Sequence, residues 1–73
     1  MGEIEIAAAP MHRLCEKAGA DRVSEAAANE LAKILQEIGL KIAKEALDYA
    51  VYARRKTIKI EDITIATRKV MKK

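Results

Sequence analysis

Between Arg54 and Asp62 the chain reads RRKTIKIED, four cations within six residues and then two carboxylates. Guanidinium and ammonium groups on this spacing neutralise phosphate or carboxylate oxygens; they supply no nucleophile and no proton relay at neutral pH. Catalysis has no candidate constellation elsewhere. There is one histidine (His12), one cysteine (Cys15), one serine (Ser24) and no glycine-rich phosphate loop, and the carboxylates are scattered over helix faces. A lone cysteine forms no internal disulfide, and with a single histidine it falls short of a four-ligand zinc site. His12 reads as a surface residue and Cys15 as a small buried hydrophobe. No enzyme activity, cofactor, metal or small-molecule substrate is expected.

The elements around this basic stretch must come from 73 residues, 51% of them apolar but with only Tyr49 and Tyr52 as aromatics. A chain this size is near the lower limit for one self-sufficient core, so with disulfides and metal excluded, oligomerisation is the remaining support. The net charge of +3 hides an asymmetry. Residues 54–73 carry eight Lys and Arg against Glu61 and Asp62, whereas residues 1–53 carry six against nine acids. A polyanion partner is one reading of that basic end, and a plain solvated surface is the other. The first ten residues, MGEIEIAAAP, lack the features of a secretory signal, and no apolar run is long enough to span a membrane, so a cytoplasmic protein is expected.

Periodicity divides the chain into three helices. The first runs from about 10 to 18, with Pro10 at its first position, Met11, Leu14, Cys15 and Ala18 on one face, and Gly19 just past its end. The second runs from about 24 to 53, with Ser24 as N-cap and Leu31, Ile34, Leu35, Ile38, Ile42, Ala46, Tyr49 and Ala53 in one arc. Ala32, Ala43 and Ala50 widen that arc to about half the circumference, so the helix is contacted from more than one side. Thr57-Ile58-Lys59 reads as a brief extended piece before a third helix from about 60 to 71, acidic in its first turn and basic near its end.

About 29 helical residues at ~1.5 Å each span roughly 43 Å, whereas a compact chain of this length has a radius of gyration of about 11 Å. Two short flanking helices cannot cover such a seam. A second copy whose long helix crosses the first can.

A short helix, a long one and a short one, joined by two tight loops, resemble the histone fold, and the tailless archaeal histones in particular. The stretches AGADRVS (18–24), LAKILQEIG (31–39), IAKEA (42–46) and RKTIKIEDI (55–63) carry the resemblance. It implies an all-α histone-fold domain over residues 1–73, paired head to tail in an intertwined dimer with itself or another histone-fold chain. It also implies a chromosome-associated role in which the dimer binds, bends and compacts double-stranded DNA with little sequence preference. In that arrangement the loop Asp21-Arg22-Val23 of one protomer lies beside Lys56-Thr57-Ile58 of the other. The DNA contacts implied are Arg13, Arg22, Lys56 and Thr57, with Arg22 entering the minor groove as arginines do in histone octamers. Arg55 and Asp62 match a structural pair, and Tyr49, Tyr52, Asp62 and Ile65 occupy the positions through which dimers stack.

Four departures qualify the resemblance. Tyr52 stands where relatives use a histidine to bond an aspartate across the stacking interface; a tyrosine hydroxyl can also donate to a carboxylate. Arg54 stands where relatives commonly place glycine; a left-handed cap there would be strained by about 1 kcal/mol, so a different helix ending is expected. Glu16 replaces a commonly basic residue, which weakens DNA contact near the first helix. Leu40, Leu47 and Val51 form an apolar stripe outside the two-sided core, read either as an extra contact between dimers or as scattered exposed aliphatics. Two other functions stay open: membership of a sequence-specific transcription complex, against which the lack of extensions argues, and a protein-binding helical dimer with incidental charge.

Overall fold

Ser24 opens the longest element. Its hydroxyl accepts the Ala27 backbone N–H at 3.0 Å and its carbonyl accepts that of Ala28, also at 3.0 Å, satisfying donors that a helix start leaves unpaired. In the computed structural model, which describes residues 5–72, the helices are α1 (Ala8–Lys17), α2 (Glu25–Tyr52) and α3 (Ile60–Met71). No strand occurs among the described residues, so the fold is all-α.

Two compact units share α2: Met1–Glu37 and Ile38–Lys73. In the first, Met11 of α1 packs with Ala28 and Ala32 of α2, and Ile6, Ala8, Val23, Leu31 and Leu35 close around them. Val23, just before the N-cap, meets the same cluster as Ala28 one turn on, which is the arrangement of a hydrophobic staple. The backbone N–H groups of Glu5 and Ile6 donate to the Gln36 side-chain oxygen, tying the segment ahead of α1 to α2. α1 starts at Ala8, two residues before the proline expected to open it. Pro10 sits third instead, where a missing N–H costs nothing because the first-turn donors have no helical partner.

In the second unit Ala46 and Ala50 of α2 and Ala66 of α3 are fully buried. A Lys69–Glu45 ion pair at 3.4 Å links the two helices; its lysine is well exposed, so the pair contributes little. Among the described residues of both units no large side chain is fully buried. Ile34, Leu40, Leu47, Ile63 and Ile65 are each about 40–50% exposed. Each unit buries the small residues of α2 and leaves much of its bulky apolar surface uncovered.

α1 and α2 end in the same way. After α1, Gly19 N–H bonds the Glu16 carbonyl at 2.9 Å and Ala20 N–H bonds that of Cys15 at 3.1 Å. After α2, Arg54 N–H bonds the Val51 carbonyl and Arg55 N–H bonds that of Ala50, each at 2.8 Å. Both are Schellman caps, which place one residue in the left-handed region: Gly19 at φ 111° and Arg54 at φ 63°. The different ending expected from Arg54 is therefore not found. Two cap hydrogen bonds outweigh strain of about 1 kcal/mol at one β-carbon. Chemical denaturation of two uncharged variants isolates that strain: Arg54→Gly should be about 1 kcal/mol more stable than Arg54→Ala, because both lose the charge and glycine alone lacks the β-carbon.

Candidate nucleic-acid interface

The loop from Ala53 to Lys59 is built around one carboxylate. Asp62, in the first turn of α3, is 3% exposed. Its Oδ2 accepts Arg55 Nη1–H at 2.8 Å and the Lys59 backbone N–H at 2.9 Å, and its Oδ1 accepts Arg55 Nη2–H at 3.0 Å. Arg55 Nη1 also donates to the Thr57 carbonyl at 2.9 Å. The bond to Lys59 is the carboxylate half of a capping box; a lysine ammonium has no lone pair, so no reciprocal half forms. Lys59 itself is extended, at φ −109° and ψ 169°.

These contacts sort the cations of the loop. Arg55 is spoken for: Asp62 takes its guanidinium bidentately, which also raises the arginine pKa. Arg54, Lys56 and Lys59 are exposed, and none of them forms a side-chain hydrogen bond or ion pair among the described residues; the Lys59 side chain acts on Asp62 through its charge alone. Thr57 is exposed as well. Arg13 on α1 and Arg22 in the loop before α2 are likewise exposed and unengaged among the described residues. Arg13 and Arg22 belong to the first unit, and Lys56 and Thr57 to the second.

Away from the loops, Tyr49 is half-buried, Ile65 is 46% exposed and Tyr52 is 92% exposed. Tyr49 and Tyr52 line a shallow groove with Glu45, Asp48 and Lys69. Leu40, Leu47 and Val51 are 46%, 47% and 61% exposed. His12 is half-buried rather than superficial and lies 3.4 Å from Glu25 in the first turn of α2. Cys15 is also half-buried, not fully covered. No group of three or more potential metal ligands gathers among the described residues, and no helix among them is long and apolar enough to cross a membrane.

Sequence reasoning passed over Arg54 and Lys59, which the structure leaves exposed. The available signal was arithmetic within one loop, since a cation held by a buried aspartate leaves its neighbours to face outward.

Residues 4–67 match the profile of the family described as histone-like transcription factor (CBF/NF-Y) and archaeal histone. The chain belongs to this family. It is 50% identical over 64 residues to a protein named probable archaeal histone 3 from Methanocaldococcus jannaschii, covering 88% of this chain and 96% of the relative. Identity is 47% over 64 residues, with the same coverage, to one of the polypeptides of archaeal histone HAN1 from Thermococcus zilligii. The chain is thus a histone-fold protein of the DNA-binding, DNA-packaging kind and not an enzyme.

Within this histone fold the Asp62 clamp should set the acid limit of stability. The carboxyl is lowered from 3.8 to about 2, first by the Arg55 hydrogen bonds and next by the Lys59 N–H. Because the folded value lies below the unfolded one, the stabilisation is fully present above 3.8 and disappears as pH falls through about 2. Thermal melts should show Tm falling across that window, and Asp62→Asn, less stable at pH 7, should lack this part of the acid dependence.

Proposed function

We propose that the chain acts as a head-to-tail histone-fold dimer that bends and compacts double-stranded DNA without reading its sequence. The observation that carries this reading is the division of labour between the loops. The side chains of Arg22, Lys56 and Thr57 are exposed, and Thr57 is held only through its carbonyl, while the Arg55 guanidinium is withdrawn into a structural clamp. The dimer is supported by the bulky aliphatics of α2 that one chain leaves uncovered; a crossing copy would bury them and set Arg22 of one protomer beside Lys56 and Thr57 of the other. Two such loop pairs, with Arg13 between them, would hold phosphates along a curved path. Bending a few turns of duplex costs several kcal/mol, which many phosphate contacts together offset.

Contacts of this kind release counterions, so affinity falls steeply with salt. In gel shifts on random duplex, Arg22→Ala should lower the slope of log affinity against log salt by about two per dimer, and affinity by roughly 10- to 100-fold at about 0.1 M salt. Circular dichroism should stay unchanged. Normal compaction by this variant would remove Arg22 from the interface, and absence of wild-type binding at moderate salt would leave the chain a protein-binding dimer.

Further assembly is the finer part of the proposal. In this reading Tyr52, Tyr49 and Ile65 would meet a second dimer, with the Tyr52 hydroxyl donating to Asp62 Oδ1, which accepts one hydrogen bond within its own chain. The Leu40, Leu47 and Val51 stripe would add a second apolar contact. Charging it with Leu40→Glu and Val51→Lys should eliminate species larger than the dimer in sedimentation on DNA; an unchanged profile with and without DNA would sink the stripe.

A further inference from the structure

The two loops of this fold are built on one plan. Each starts from a left-handed residue in a Schellman cap and reaches the next N-cap five positions later, Gly19 to Ser24 and Arg54 to Lys59. At the first cap the left-handed place is filled by glycine, which adopts it without strain. The second holds an arginine at φ 63°, a conformation its β-carbon disfavours. A strained residue in an otherwise solved motif calls for a reason outside the backbone.

The charges of the loop supply one. Arg55, the adjacent arginine, has both terminal nitrogens committed to Asp62 and the Thr57 carbonyl. Among the described residues of this loop, Arg54 is the guanidinium left exposed and unengaged, two positions before Lys56. Its planar fork suits two phosphate oxygens at once, which neither Lys56 nor Lys59 can match. A competing reason also exists. A cation just past the end of α2 meets the partial negative charge of that helix, whose last turn holds no basic residue.

We infer that Arg54 is a phosphate-binding residue of the second loop, adding one bidentate contact per protomer to the DNA surface. The inference rests on the DNA-packaging reading. It places the strain at the residue that takes over the guanidinium role Arg55 has given up to Asp62.

The test uses Arg54→Gly, Arg54→Ala and Arg54→Lys, with Arg22→Ala beside them, in gel shifts on random duplex DNA across a salt series. Sedimentation establishes that each variant is a dimer. The glycine and alanine variants, which differ in stability, should bind alike. Each should be roughly tenfold weaker than wild type at about 0.1 M salt, with a salt slope lower by about two per dimer. The lysine variant keeps the charge and the slope but loses bidentate geometry, so it should fall between them and wild type. Should the glycine and alanine variants bind with wild-type affinity and slope while Arg22→Ala is impaired, Arg54 serves only the helix end and the inference is overturned by itself. A wild-type protein that fails to bind at moderate salt overturns the DNA-packaging reading, and this inference with it.

Discussion

What one chain can bury governs the rest of this structure. Ala28 and Ala32 are covered in one unit, and Ala46 and Ala50 in the other, each pair four residues apart on the same helix face. Small residues at that spacing let a short neighbouring element approach α2 closely, but they remove little apolar area from water. The larger residues, Leu31, Leu35, Ile38, Ile42 and Tyr49, are half-buried, and Ile34 is more exposed than they are. At about 25 cal/mol per Å² of apolar surface, covering such side chains is the main stabilisation still open to the sequence. A twin offering the same face is the most economical cover, because a two-fold interface needs a surface complementary only to itself.

That constraint gives the loops their importance. Arg22 and Lys56 lie in separate units of one chain, and in the proposed dimer a second copy would bring one loop to the other. Within the second loop, the Asp62 clamp holds the backbone through Arg55, Thr57 and Lys59 at once. A basic loop without such a clamp would repel itself and lose conformational entropy on meeting phosphate. Here one arginine is given up to the aspartate, and its neighbours are presented on an ordered turn.

Much of this was legible in the sequence, and the misses have physical causes. Ser24 announced the start of α2 because hydroxyl caps are a local matter, settled within three residues. Gly19 announced the end of α1 for the same reason. Pro10 misled because proline fits anywhere in a first turn, and what precedes it decides; here Ala8 and Ala9 extend the helix backward. Arg54 misled because a β-carbon penalty was weighed without the two hydrogen bonds that the left-handed residue permits. Glu61 and Asp62 looked alike as dipole charges, yet only Asp62 reaches the Lys59 N–H, a difference of phase that composition does not carry. The pairing of Arg55 with Asp62 came from family resemblance; spacing across a loop and into a helix does not single it out.

The common plan of the two loops explains how so short a chain can present its cations in order. A Schellman cap on one side and an N-cap on the other leave few residues between them with backbone freedom, and Arg22 and Thr57 fall at equivalent positions, three residues after each left-handed cap. Fixing that backbone when the chain folds means less entropy is lost when DNA arrives, which favours binding by many individually weak contacts. The proposed absence of base reading follows from the same plan. Side chains carried on tight caps are set by the fold's own spacing, and the feature of DNA that repeats on a fixed spacing whatever the sequence is its phosphate backbone.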